Sequence, residues 1–248
     1  MKQIIEVKNL SFGYDKTKKV LDNLSISFNE GRIIALIGKN GSGKSTFLDC
    51  LLDSNEYDGE ILVNGQNIRD LPPKSFAKLI SFIPQSTQIN IDYSIRDFIS
   101  FGRNPHTGFG LSLTAEDFRK VEANAEKCGI KELLDKDINK VSGGERQLAF
   151  IARALTQETP IIIMDEPTAS LDFGNQQKLF KIMKSLVEEG KTIIFTTHNP
   201  NHLVNLDCDI YSVKADVLKK INKLDEKTIK EIYGDEFEYD GKSFLFKL

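Results

Sequence analysis

Short apolar runs alternate with longer stretches in which apolar positions recur every three or four residues. Ile4-Ile5-Glu6-Val7 and Leu24-Ser25-Ile26-Ser27-Phe28 are extended patterns, the second alternating apolar and polar. Glu30-Gly31 turns the chain. Residues 32–37 (RIIALI) are a continuous apolar run after the arginine, as a strand covered on both faces requires. Beyond a glycine-rich loop, Phe47, Leu48, Leu51 and Leu52 recur at helical spacing. Residues 58–65 (DGEILVNG) predict a short strand between two turn signals. From about 86 to 158 the pattern is helical. There Thr114 and Asp117 form a capping-box pattern with Asp in place of the usual Glu. Phe118, Val121, Ala125 and Cys128 are expected to line one face, and Gly129 to close the helix. Strand patterns return at 160–164 and 192–197. Between them Leu179, Ile182, Met183 and Leu186 mark an amphipathic helix closed by Gly190.

Strands alternating with helices predict the α/β class with a parallel sheet. The expected organisation is one domain over 1–248, with a core of residues 1–85 and 159–248 and an inserted helical lobe at 86–158. No internal repeat, low-complexity tract or long linker interrupts it.

At 248 residues, 40% hydrophobic and 28% charged, the chain has enough apolar content for a core and is not of disordered composition. The formal net charge of −3 gives no basic excess, so no nucleic-acid partner is expected. Cys50, Cys128 and Cys208 lie far apart in sequence without metal-ligand spacing, and are expected to be small buried residues in a reducing compartment. There is no run of about 18 apolar residues, so spanning helices, if the protein works at a membrane, must come from another chain. The charged N-terminus lacks the apolar centre of a signal peptide, and a cytoplasmic location is expected.

Gly38-Lys39-Asn40-Gly41-Ser42-Gly43-Lys44-Ser45-Thr46 fits G-x-x-x-x-G-K-[ST], with a buried strand before it and a helix after. Glycines allow the backbone to curl so that successive N–H groups face phosphate oxygens, and the helix adds the positive end of its dipole. Lys44 can reach the β and γ phosphates, and the Ser45 hydroxyl can hold Mg²⁺.

Residues 161–166 (IIIMDE) place two acids at the end of a buried strand, the edge at which open α/β sheets bind ligands. Asp165 there suits Mg²⁺, and Glu166 can polarise the water that attacks the γ-phosphate. His198 ends the other strong strand, where a neutral imidazole can contact the γ-phosphate. His106 and His202 have no such context and are read as surface or packing residues.

Residues 141–147 (VSGGERQ) open a helix whose face is Leu148, Ile151, Ala152 and Leu155, with Ser142 and Glu145 as a capping box. Two glycines at a helix start cost about 1 kcal/mol each relative to alanine, which makes sense where the helix end must approach another group closely. This is a second anion-binding helix end in one chain. Two chains that face each other, each completing the other's site, explain the pair economically.

With these elements in order, the sequence resembles the nucleotide-binding subunit of ABC transporters over essentially residues 1–235. GKNGSGKST at 38–46 is similar to the family's Walker A, IIIMDEP at 161–167 to Walker B, and VSGGERQ at 141–147 to its signature, with Val141 where Leu is usual. Gln85 in FIPQ matches the Q-loop, Ser170-Leu171-Asp172 the D-loop and His198 the switch histidine. The resemblance implies a P-loop NTPase fold of ABC type, with an N-terminal antiparallel β subdomain and an inserted helical subdomain. It implies ATP held by Tyr14 stacked on adenine, by Gly38, Asn40, Gly41, Ser42, Gly43, Lys44, Ser45 and Thr46, and in trans by Ser142, Gly143 and Gly144. It further implies Mg²⁺ on Ser45, Gln85 and Asp165, and hydrolysis by Glu166 with His198, Gln85 and Lys44. Two copies would clamp two ATP molecules and drive integral-membrane permease subunits from the cytoplasmic face of the membrane, served by an extracytoplasmic substrate-binding protein.

The GRNPH stretch within 82–110 is similar to importers of iron–siderophore, haem and cobalamin complexes. EPTASLDFGNQ, ending at Gln176, is typical of that group and of molybdate/tungstate importers. The expected function is therefore a metal-chelate importer ATPase. The alternatives are a molybdate/tungstate importer ATPase or a soluble non-transport ATPase, such as one for iron–sulfur assembly. From about 212, SVKADVLKKINKL lacks the family's usual hairpin glycine; LDEKTIKEIYG resumes the pattern.

Overall fold

The computed structural model describes the chain apart from residues 1, 16–17, 88, 90–91, 108–111, 215–216, 235–236, 241 and 247–248. It divides into two compact units, Met1–Leu71 with Thr192–Leu248, and Pro72–Lys191. The unit boundaries fall at different positions from 85/86 and 158/159; all of 86–158 lies in the second unit.

The first unit begins with β1 (Gln3–Phe12), β2 (Leu21–Asn29), β3 (Ile33–Ile37), α1 (Lys44–Leu51), β4 (Asp58–Val63) and β5 (Gln66–Asn67). The second unit holds α2 (Pro73–Phe76), β6 (Ile80–Ile83), α3 (Ile95–Ser100), α4 (Ala115–Cys128), α5 (Gly143–Thr156), β7 (Ile161–Met164) and α6 (Phe173–Glu188). The chain then returns to the first unit as β8 (Thr192–Thr197), β9 (Asp209–Lys214), β10 (Val217–Ile221), α7 (Glu226–Tyr233), β11 (Phe237–Tyr239) and β12 (Phe244–Phe246).

In the first unit, β1 pairs antiparallel with both β2 and β4, in the order β2-β1-β4-β5. Both early extended patterns are thus strands, longer than their apolar cores. β3 pairs in parallel with β8 and β9, with Ala35 opposite both Phe195 and Ile210. Every residue of β3 is buried, as its continuous apolar run predicts, and β8 is buried throughout as well, its three threonines included. β10 pairs antiparallel with β9 although the expected glycine is missing; Ala215 and Asp216, between the two strands in sequence, lie outside the described residues. Phe28 of β2 meets Phe47 of α1 and Tyr211 of β9 edge-on, with centroids 6.3 and 5.3 Å apart. These contacts tie the antiparallel sheet to the helix after the glycine-rich loop.

In the second unit β6 and β7 pair in parallel, Ile80 opposite Ile161. α5 packs against α3 and α4 and is buried at nearly every position from Gln147 to Thr156, more than its apolar stripe predicts. In α4 the capping box and the left-handed Gly129 (φ 68°) stand where expected. The expected face needs one correction: Phe118 is 41% exposed. The buried line is Asp117, Val121, Ala125 and Cys128, because Arg103 draws Asp117 inward. In α6 Leu179, Ile182, Met183 and Leu186 are buried as expected. The three cysteines are free; Cys50 and Cys128 are buried and Cys208 is half-buried.

Candidate functional site

On the first unit, the loop after β3 owes its course to two kinds of glycine. Gly41 (φ 76°) and Gly43 (φ 97°) adopt left-handed backbone that other residues enter only with strain. Gly38 is required for space: a methyl there would lie 2.6 Å from both Val213 O and Ser42 Oγ. Gly43 is also the N-cap of α1 and supplies no side-chain cap, so the first-turn N–H groups are left to another acceptor. Lys44 is buried, and its Nζ donates to Gly38 O at 2.9 Å and Lys39 O at 3.1 Å. Asn40 and Ser45 are exposed and Ser42 is half-buried. Thr46 is buried; its Oγ1 lies 3.1 Å from Tyr14 Oη. The Tyr14 ring, propped edge-on by Phe12 at 5.0 Å, is 71% exposed. His198, directly after β8, is exposed.

On the second unit, Asp165 continues the strand ladder, its N–H donating to Ile83 O at 2.9 Å. Glu166 then turns the chain with φ 41°, a left-handed conformation uncommon for a glutamate. Such strain persists only where the surroundings enforce it, and it clusters at functional sites. Both acids are buried. Gln85 is exposed, two residues beyond β6, and its Nε2 donates to Glu166 Oε2 at 3.2 Å. The strand pair thus brings together two residues 81 positions apart.

α5 starts on the second unit as a full capping box. Ser142 Oγ accepts from Glu145 N at 3.2 Å, and Glu145 Oε2 accepts from Ser142 N at 2.8 Å. Those bonds hold the Glu145 carboxyl below its ordinary value. The two glycines differ. A methyl on Gly144 would lie 3.2 Å from Ser170 O of the same chain, whereas one on Gly143 would meet nothing within 4 Å. Close approach at Gly144 is therefore already accounted for by Ser170, and Gly143 is the open position. Asp172 caps α6, accepting from Asn175 N at 2.8 Å.

The chain as a whole is similar to known proteins. A model of the ABC transporter family matches residues 21–169. The chain belongs to the ABC transporter ATP-binding family. A second, AAA-domain model matches residues 136–205. The petrobactin import ATP-binding protein YclP of Bacillus subtilis is 38% identical over 200 residues, 80% of this chain and 78% of that one. The iron(3+)-hydroxamate import ATP-binding protein FhuC of the same organism is 31% identical over 241 residues, 96% and 89%. Among solved structures, an inward-facing conformation of a transporter assigned to the metal-chelate type has a TM-score of 0.81 and 28% identity. It covers 98% of this chain and 95% of its own. The ABC ATPase has the α/β P-loop NTPase fold that its motifs imply, binds ATP and is an ATPase. No helix among its described residues is long and apolar enough to cross a membrane.

Two parts of this ABC ATPase carry no functional signature in the sequence. His202, read as surface or packing, contacts the residue before His198. Arg103, in the GRNPH stretch, is buried and organises the second unit. The far end of the segment read for its subfamily pattern, residues 108–110, lies outside the described residues.

Proposed function

We propose that this chain hydrolyses ATP at the cytoplasmic face of the membrane to energise uptake of a metal chelate, such as an iron–siderophore, haem or cobalamin complex. It does so as a homodimer attached to separate permease subunits, with an extracytoplasmic binding protein delivering the cargo. One observation carries the cargo class: the likeness to the metal-chelate type transporter runs along 98% of the chain, and the siderophore-importing relatives agree with it.

In this reading residues 38–46 hold the ATP phosphates. The curled loop and the uncapped first turn of α1 support it. Lys44 trades its carbonyl partners for β- and γ-phosphate oxygens, and the exposed face of Tyr14 stacks on the base. Ser142, Gly143 and Gly144 serve the nucleotide of the partner copy, for which the exposure of Ser142 and the open space at Gly143 leave room. The hydroxyl of Ser45, the carboxylate of Asp165 and the side-chain carbonyl of Gln85 are hard oxygen donors and fit Mg²⁺. Gln85 commits its nitrogen to Glu166, which leaves its oxygen for the ion. When bound, Mg²⁺ neutralises charge on the phosphate oxygens. Glu166, aimed by Gln85, accepts a proton from the attacking water, and His198 contacts the γ-phosphate. The core 1–85 with 159–248 and the helical subdomain 86–158 are the working parts.

The decisive experiment co-purifies the chain with its permease and measures ATPase in liposomes against a panel of chelates. Stimulation by one ferric, haem or cobalamin chelate is expected. Stimulation by molybdate or tungstate alone, or no permease partner, overturns the cargo assignment. Mixing Lys44→Ala with Ser142→Arg protein tests the shared site: one working site per mixed dimer returns if sites are shared, and none if they are not.

A further inference from the structure

The segment carrying His198 is gripped from two sides within the first unit. Thr197, the last residue of β8, is buried. Its Oγ1 accepts from Asn199 N at 3.1 Å, donates to Asn199 O at 3.4 Å, and lies 2.9 Å from His202 Nδ1. The other ring nitrogen, Nε2, lies 3.3 Å from Asn199 Nδ2. Asn199 Oδ1 caps the 3₁₀ turn Pro200–His202 by accepting from Asn201 N at 3.0 Å, so its amide nitrogen is the atom that faces the ring. Nε2 must then be the acceptor, and Nδ1 carries the proton that Thr197 Oγ1 receives. The network thereby assigns one neutral tautomer to His202. Burial, with the neighbouring His198 charge adding to it, pushes His202 down to about 4, in keeping with a neutral ring.

The second grip comes from the C-terminal hairpin. Asn201 Nδ2 donates to Phe244 O at 3.0 Å, and Asn201 Oδ1 accepts from Phe244 N at 2.7 Å. One side chain thus pairs with β12 as a neighbouring strand would. Phe244 is itself buried and stacked on Tyr239 at 4.6 Å. The hairpin is therefore anchored, and it holds Asn201 three residues beyond His198.

We propose that His202 and Asn201 are positioning residues for His198: together they fix the backbone of residues 197–199 and with it the direction of the switch imidazole. The inference rests on the reading of His198 as a γ-phosphate contact. In that reading neither residue is assigned a nucleotide contact. Both act by denying the segment alternative conformations, and a misplacement of about 1 Å at a reacting centre can cost on the order of a hundredfold in rate.

The test is steady-state ATPase of the full chain, with nucleotide affinity and thermal unfolding measured alongside. Asn201→Ala and His202→Leu are expected to lower kcat about tenfold or more while leaving nucleotide affinity in place. His202→Asn, whose amide nitrogen can stand where Nδ1 stands, recovers most of the lost rate. Thr197→Val keeps the buried shape, removes only the hydroxyl and reproduces the loss, which covers the case in which another variant fails to fold. In a His198→Ala background none of these changes lowers kcat further. The proposal is overturned if the losses are the same with and without His198, if His202→Asn is as slow as His202→Leu, or if the variants turn over normally. If His198→Ala alone is fully active, the reading of His198 itself has failed, a result distinct from additive losses on top of an impaired His198→Ala.

Discussion

Arg103 and Asp117 meet inside the second unit, Arg103 Nε donating to Asp117 Oδ1 at 2.8 Å. The same guanidinium donates through Nη1 to Thr156 O at 2.9 Å and Glu158 Oε2 at 2.7 Å. One side chain from the GRNPH stretch thereby joins the start of α4 to the end of α5. Removing a partner from a buried pair strands the other charge and costs about 3–5 kcal/mol. Arg103→Ala is therefore expected to lower the denaturant midpoint sharply, with most of the loss remaining at high salt. Lys131 pairs with Glu126 at 3.0 Å on the surface, and a change no larger than that of Lys131→Ala contradicts it.

Asp117 gives a pH signature. The N–H and hydroxyl of Thr114, and then the Arg103 guanidinium, hold its carboxyl at about 2 against an ordinary 3.8. A carboxylate held low in the folded state stabilises fully above its unfolded value, and that stability goes as pH falls through the folded value. Between about pH 4 and pH 2 the wild-type chain should lose stability more steeply than Asp117→Asn. Parallel acid-unfolding curves would remove Asp117 from this role.

Glu166→Gln should cut turnover by on the order of a hundredfold or more, the scale of general-base catalysis, with ATP affinity retained. Gln85→Ala should lower turnover less, since it frees the Glu166 side chain without removing it. The pair is read by comparing single-turnover rates with nucleotide titrations. Normal turnover in Glu166→Gln rejects Glu166 as the base.

Lys44→Ala should weaken or abolish ATP binding, measured directly by nucleotide titration. Unchanged affinity and hydrolysis would take Lys44 out of the phosphate site.

The loop glycines should separate by mechanism. Gly41→Ala meets no neighbour and costs only the left-handed strain, about 1–2 kcal/mol. Gly38→Ala drives a methyl against the backbone carbonyl of Val213 and should cost more, by chemical denaturation. The reverse order would refute the packing argument.

The parts of this architecture legible in sequence are those set by local pattern. β3 and β7 are visible because a strand buried on both faces is apolar throughout. Both capping boxes were visible because a cap is written within four residues. Phe118 departs from the apolar pattern because a charged residue, Asp117, takes the buried place when an arginine fourteen positions away satisfies it. The Asn201–Phe244 pairing spans 43 positions and has no signature in either segment. At the site, the glycine loop and the acid pair announce themselves by composition. The strained backbone of Glu166 and its bond to Gln85 depend on how β6 and β7 align. The two glycines of the pair look alike in sequence, and only the fold separates them, with Ser170 O against Gly144 and open space at Gly143.

The ammonium of Lys44 has two carbonyl partners in its own loop. In the proposed phosphate site, an incoming phosphate therefore substitutes for partners already in place, and on its departure the same carbonyls are within reach to take the ammonium back. The buried ammonium then has acceptors both before and after the exchange, so no uncompensated charge is left in the loop.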